Sequence, residues 1–207
     1  MKTERKLKVY CAGPLFNAKE KEEMAEIATV LEDSGFRVFL PHRDGFELAQ
    51  LLDVLKDIGV SEISANRLLN KAIFVLDVYQ VLDSDGLVLN INGRVPDEGA
   101  TVEAGIAWNA GKRVVIYKSD SRTLINGNDN PLLLGLSEFV TINKISEIPN
   151  VLMDLFDKDE EEEMVINNSR LKDLYQKGQI VAEIAGNGFN KIELCHELLK
   201  VLGEEKS

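Results

Sequence analysis

Three carboxylates stand among residues that suit them for chemistry. Glu103 lies in DEGATVEAGIAWNAG, residues 97–111. The spacing predicts a helix from Ala100 to Ala110, stopped at Gly111, with Glu103 in its first turn. A helix N-terminus favours an anion by about 0.3–1 kcal/mol when exposed and by more when partly buried. That would keep Glu103 ionised, as a nucleophilic carboxylate must be, although the same position suits a glutamate that only complements the helix dipole. Asp97 precedes Glu103 by six residues, in the polar loop from Asn92 to Glu98. Ala104, Gly105 and Ala107 let the helix lie close to whatever supports it, so both carboxylates can face one cavity. Asp77, in FVLDVYQVLDSDG, sits among Phe74, Val75 and Leu76. Aspartate is a poor helix former, so here it is an exposed helix acid, a paired one or a functional one. Asp83 and Asp85 flank a helix-to-strand turn and read as turn residues. A divalent cation on Asp97, Glu98 and Glu103 fits the charges, but no motif dictates its geometry, and we expect neither metal nor cofactor.

These residues must be held by a particular alternation of elements. Val9 to Ala12 is a short apolar run closed by Gly13-Pro14, as for a buried strand. Asn17 can cap a helix whose apolar positions Met24, Ile27, Ala28 and Leu31 recur at three and four and which ends near Ser34-Gly35. Phe36 to Leu40 is a second strand, followed by helical periodicity from Phe46 to Lys56 and from Glu62 to Leu82. Leu87 to Ile91, Arg113 to Tyr117 and a shorter Phe139 to Ile142 complete five strands. Strands separated by helices imply right-handed crossovers and a parallel sheet covered on both faces. The expected fold is therefore α/β, a flavodoxin-like, doubly wound five-stranded parallel sheet with a C-terminal helical extension. In such sheets ligands bind beyond the carboxyl ends of the strands. That directs attention to CAGPLF after the first strand, where Gly13 permits close backbone approach and Phe16 offers a flat apolar surface. It also points to PHRDG after the second, where His42 either touches a ligand or caps the loop while Arg43 pairs with Asp44. Neither GxGxxG nor GxxxxGK[ST] is present, so dinucleotide and P-loop chemistry are unsupported. Trp108 reads as core, facing the sheet or a neighbouring subunit.

The 207 residues are 44% hydrophobic and 29% charged, which excludes a mostly disordered chain. A net charge of −11 makes a nucleic acid polymer or an anionic membrane surface an unsuitable partner. No stretch is long and apolar enough to span a bilayer, and the short N-terminal run reads as a strand, not a leader. Cys11 and Cys195 form neither a disulfide framework nor a metal motif, and they suit a reducing cytoplasm. The composition changes near Phe156. Residues 1–156 read as the α/β domain. Residues 157–207 read as the acidic run DKDEEEE followed by helical periods from Ser169 to Ala185 and from Lys191 to Leu202.

Taken together, YCAGPLF, LDSDGLV and DEGATVEAG resemble the nucleoside 2-deoxyribosyltransferase family in order and spacing, over about Leu7 to Leu155. The resemblance implies a flavodoxin-like enzyme that moves 2-deoxyribose between nucleobases through a glutamate-bound sugar. It also implies a homo-oligomer in which one subunit completes another's site. Its E-x-G motif falls on Glu103, as nucleophile. Asp97 falls on the acid that holds a sugar hydroxyl, and Asp77 on the acid near the base that gives and takes a proton. Tyr10 and Phe16 match positions lining the pocket. Asn130, in GNDNPLLLG, matches an asparagine that reaches the 5′-hydroxyl from a neighbouring subunit, and Leu132 an apolar residue beside it. Two departures stand out: Gly99-Ala100 replaces the family's frequent Gly-Thr, and the longer tail prevents transfer of a contact made by the family's terminal carboxylate.

The implied substrates are nucleosides and nucleobases, and the implied reaction is glycosyl transfer with retention at C1′. The nearest alternative is an N-glycosidase that passes the sugar of a nucleoside or a nucleoside 5′-monophosphate to water. Ala12-Gly13-Pro14 offers no small hydroxyl residue for a phosphate, and Asp97 would repel one. A non-catalytic nucleotide-binding domain is a third reading, distinguished by binding without turnover.

Overall fold

The computed structural model describes residues 5–45, 48–93, 95–122, 127–157 and 168–203. Strands β1 (Lys8–Ala12), β2 (Arg37–Phe39), β3 (Gly86–Asn90), β4 (Arg113–Tyr117) and β5 (Thr141–Ile142) form one sheet. Its order is β2-β1-β3-β4-β5 and every pairing is parallel. The chain turns outward from β1 to β2 and then crosses back to β3. The reversal therefore lies between β1 and β3, where a doubly wound sheet opens its ligand crevice. This is the flavodoxin-like architecture that the strand and helix periods predict.

The helices are α1 (Ala18–Asp33), α2 (Pro41–Asp44), α3 (Leu52–Asp57), α4 (Glu62–Asp83), α5 (Glu98–Asn109), α6 (Pro131–Leu134), α7 (Ile148–Phe156), α8 (Ser169–Gly186) and α9 (Lys191–Leu202). Asn17 caps α1 as expected, its side chain accepting from the Glu20 N–H at 3.1 Å. Both faces of the sheet are covered, and the period of two along each strand sorts residues between them. Val9, Cys11, Val88 and Val115 pack with Met24, Ile27 and Leu31 of α1 and with Ile148 and Leu152 of α7. Tyr10, Ala12, Leu87, Leu89 and Ile116 pack with Ala100, Ala104 and Ala107 of α5.

The packing divides the chain into two compact units. The sheet unit comprises residues 1–44 and 81–165, and the helical unit residues 45–80 and 166–207. Where the sequence suggested a boundary at 156/157, residues 45–80 group with the C-terminal helices. The physical reason is a shared core: Leu55, Leu68, Leu69, Ala72 and Leu76 bury against Val181, Ile184, Leu194, Leu198 and Leu202. A side chain at Gly178 of α8 would place its Cβ 2.2 Å from the Val75 carbonyl oxygen of α4. The two helices can touch there only because Gly178 has no side chain. Gly178→Ala is expected to destabilise the helical unit by about 1–3 kcal/mol, the cost of overpacking. Urea titration followed by circular dichroism measures it, and an unchanged midpoint would refute the close approach.

Three element boundaries differ from expectation by two residues or more. α5 begins at Glu98, two residues before the predicted start, because Asp97, expected in an open loop, takes the cap position. β5 is confined to Thr141–Ile142, since Glu138 and Phe139 turn left-handed, with φ of 54° and 65°, and cannot continue a strand. The period expected from Phe46 resolves into a 3₁₀ turn at Leu48–Leu51 followed by α3. Phe46 and Glu47 lie outside the described residues, as do residues 158–163 of the acidic run.

Trp108 is not core in this chain. Its side chain is 57% exposed on α5, because Ala100, Ala104 and Ala107 take the face that meets the sheet. Cys11 and Cys195 are both buried and reduced, and burial pushes the Cys11 thiol up to about 12. Among the described residues, no helix is long and apolar enough to cross a membrane.

Candidate active site

The site begins with a tyrosine buried in a strand. Tyr10 is the middle residue of β1, with no exposed surface, and its ring stacks on Phe39 of β2 at 5.5 Å between centroids. Its side chain points to the α5 side of the sheet, where its hydroxyl donates to Glu103 Oε1 at 2.7 Å. A hydrogen bond to a carboxylate is short and strong, and this one comes from a ring with no freedom to turn away. It fixes the direction in which Glu103 faces.

Glu103 itself is partly buried and lies in the second turn of α5, not the first. Asp97 displaced it: the Asp97 side chain accepts the Ala100 N–H at 2.7 Å, and Thr101 Oγ1 donates to the Asp97 carbonyl at 2.8 Å. The helix dipole acts mainly within the first turn, so the Tyr10 hydroxyl orients Glu103 more than the helix end does. The two carboxylates nonetheless share one short helix start, joined by a rigid turn and a half.

At the switch between β1 and β3, Gly13 follows the end of β1. A Cβ there would stand 2.5 Å from Met24 Sδ and 2.9 Å from Asn90 Cβ. The glycine is required by packing between α1 and β3, a role the sequence does not disclose. Phe16 is 79% exposed on the connection into α1, where its N–H donates to Glu20 Oε2. His42 is exposed on the single turn of α2. Partial desolvation of the ring and the nearby Lys21 and Arg43 cations hold its imidazole below the usual histidine range. Arg43 is committed to structure, bonding Glu32 Oε1 at 2.7 Å and Asp44 Oδ1 at 2.9 Å. Asp44 Oδ2 in turn accepts from the Leu40 N–H.

Asn130 caps α6, its Oδ1 accepting from the Leu132 N–H at 2.9 Å. Leu132 is 82% exposed. Asp77 belongs to the helical unit, and burial alone pushes its carboxyl up to about 6. Direct bonding thus joins Tyr10 to Glu103, and one helix joins Glu103 to Asp97. Phe16, His42, Asn130 and Leu132 sit on separate segments of the sheet unit. Asp83 and Asp85, read as turn residues, also hold Lys8: Asp83 takes its ammonium at 2.6 Å and Asp85 its N–H at 2.7 Å.

A second polar group lies on the α1 side of the sheet, and no motif or spacing in the sequence marks it. Asn90, the last residue of β3, has no exposed surface and donates to Glu23 Oε2 at 2.9 Å. Asn92 donates to Glu23 Oε1 at 2.8 Å. The available signal was an asparagine ending an otherwise apolar strand, because a buried amide needs partners.

The sequence matches the family model described as nucleoside 2-deoxyribosyltransferase over residues 9–174. Among solved structures, it is similar to a 2-deoxyribosyltransferase from Bacillus psychrosaccharolyticus, at 20% identity and a TM-score of 0.50, covering 69% of this chain and 90% of that one. It is also similar to a conserved protein from Enterococcus faecalis V583, at 18% identity and a TM-score of 0.49, covering 73% and 99% of the two chains. A third structure, the CMP N-glycosidase of Clostridium botulinum, aligns at 20% identity and a TM-score of 0.37, over 70% of this chain and 98% of that one. No curated protein matches.

Proposed function

This chain belongs to the nucleoside 2-deoxyribosyltransferase family, and on that footing we propose that it transfers 2-deoxyribose between nucleobases through a covalent Glu103 intermediate. The observation that carries the reading is the 2.7 Å hydrogen bond from the buried Tyr10 hydroxyl to Glu103 Oε1. It gives one carboxylate a fixed direction on a helix that starts at the carboxyl edge of the sheet. Fixed orientation of a reacting group is worth many kcal/mol of barrier.

In the first half-reaction a Glu103 oxygen attacks C1′ of a 2′-deoxynucleoside, the C1′–N bond breaks, and the base leaves with the bonding electrons. The base anion is a poor leaving group and needs a proton. We assign that proton to Asp77, whose carboxyl, pushed up to about 6, still holds one in part of the population near neutrality. In the second half-reaction Asp77 takes a proton from the acceptor base. The base nitrogen then attacks C1′ and the ester to Glu103 breaks. Two inversions give retention. No cofactor enters.

Asp97 Oδ1 is committed to the helix cap, so the sugar-holding role falls to Oδ2. A carboxylate there suits a hydroxyl and repels a phosphate, which supports nucleosides over monophosphates as substrates. Gly13, Phe16 and His42 complete the proposed pocket. Asn130 and Leu132 are proposed to serve a neighbouring subunit, a role supported by the exposure of Leu132.

Incubating a 2′-deoxynucleoside with and without a second nucleobase tests the reaction. Transfer predicts a new nucleoside only when acceptor is present, and an intact-protein mass increase of one deoxyribosyl group, localised to Glu103, when acceptor is absent. Sugar release that is equal with and without acceptor would instead assign hydrolysis.

A further inference from the structure

Asn92 uses the full hydrogen-bonding capacity of its side chain. Nδ2 donates to Glu23 Oε1 at 2.8 Å and to Ser119 Oγ at 2.9 Å. Oδ1 accepts from the N–H groups of Ser119 at 2.8 Å and Asp120 at 3.1 Å. An asparagine amide offers two donors and two lone pairs, and here all four are matched. Its own N–H donates to Asn90 Oδ1 at 2.9 Å. The neighbouring Gly93 N–H donates to Asp120 Oδ2 at 2.8 Å. Lys118 Nζ then bonds Asp129 Oδ1 at 3.0 Å, immediately before Asn130. Two loops are thereby tied together. One leads from β3 to the Asp97 cap of α5, and the other leads from β4 toward the Asn130 cap of α6.

We infer that Asn92 is a positioning residue for the reaction: anchored by the Glu23 carboxylate, it fixes the loop that sets the start of the Glu103 helix. This rests on the reading of Glu103 as nucleophile. Both Glu23 oxygens receive side-chain amide donors, Oε1 from Asn92 and Oε2 from Asn90. With Glu23→Gln, the new NH₂ would always turn toward one of these two NH₂ groups. Asn92→Asp would instead place a carboxylate oxygen 2.8 Å from that of Glu23. The two changes together cancel: the NH₂ of the introduced glutamine would donate to the introduced carboxylate, while its carbonyl accepts from Asn90. The network has one polarity in the natural chain and tolerates the reversed polarity only as a pair.

The test compares the wild-type full chain with Asn92→Asp, Glu23→Gln and the double variant. It measures kcat and KM for transfer from a 2′-deoxynucleoside to a nucleobase, with circular dichroism at the assay temperature. Each single variant is expected to lose at least about tenfold in kcat while folded, since small misplacements far from the chemistry are costly. The double variant is expected to return to within about threefold of wild type, the signature of coupled residues. A merely structural role would lower the thermal midpoint and leave kcat of the folded protein unchanged, which would overturn the inference. So would a double variant whose loss is the product of the two single losses. Should the single variants fail to fold, the double variant still decides: folded and active supports the pairing, while folded and impaired refutes it, as does failure to fold. A wild-type chain with neither transfer nor base release would overturn the proposed function and this inference with it. An active wild type with indifferent single variants overturns only the inference.

Discussion

Replacing Glu103 by alanine is expected to lower deoxyribosyl transfer by at least about 100-fold, the scale of losing a catalytic group. Glu103→Gln separates nucleophile from scaffold. The glutamine carbonyl can accept the Tyr10 hydroxyl as Oε1 does at 2.7 Å, so that hydrogen bond survives. An amide oxygen does not form the glycosyl ester, so transfer falls as far as in the alanine variant. Tyr10→Phe keeps the ring on Phe39 and removes one hydrogen bond to the carboxylate. A charge-assisted bond is worth about 1.5 kcal/mol or more, so transfer falls about tenfold. The order of effects carries the argument: both Glu103 changes severe, the Tyr10 change intermediate. Steady-state transfer assays on all three variants measure it. Near-normal turnover in Glu103→Gln would remove the nucleophile assignment, and a Tyr10→Phe variant as dead as Glu103→Ala would mean that Tyr10 does more than orient.

Asp77→Asn is expected to make the protein more stable and less active at once. Burial raises the Asp77 carboxyl from 3.8 to about 6. Below about pH 4 the folded and unfolded chains both carry its proton, so the residue is neutral in the balance. Between about pH 4 and 6 only the unfolded carboxyl ionises, and stability falls as pH rises. Above about pH 6 the folded protein bears the buried charge and the full penalty, about 3 kcal/mol. Asparagine carries no charge, so the variant should exceed wild type by about 1–3 kcal/mol at pH 8 and match it at pH 4. At about 2–4 °C per kcal/mol, thermal denaturation resolves the difference. Base release should meanwhile fall by about 100-fold or more, and the decline of wild-type rate above about pH 6 should vanish with the carboxyl. A variant that keeps both the rate and the pH dependence would exclude Asp77 as proton donor. Equal melting at pH 8 would show that the carboxyl is not desolvated.

The parallel five-stranded sheet was legible because its three inner strands are buried on both faces and so read as short apolar runs between helical periods. The α1 cap at Asn17, the long α4 and both C-terminal helices followed from caps and spacing that act within a few residues. The three candidate acids stand out for a different reason, since an acid among apolar or small residues is conspicuous.

What the sequence by itself determined is therefore local: helix periods, strand runs, turns, and the placement of Glu103 and Asp97 six residues apart. Only the tertiary structure decided which distant residues meet. The Tyr10–Glu103 bond spans 93 residues of chain, and the Glu23–Asn92 bond spans 69. It also decided that Asp97 caps α5 and pushes Glu103 into the second turn, that Gly13 is needed against Met24 and Asn90, and that residues 45–80 share a core with the C-terminal helices. The physical reason is one of range. Backbone propensity and capping act within a turn or two, whereas hydrogen-bond partners and buried contacts are chosen when the sheet closes and every polar group brought inside must find its match.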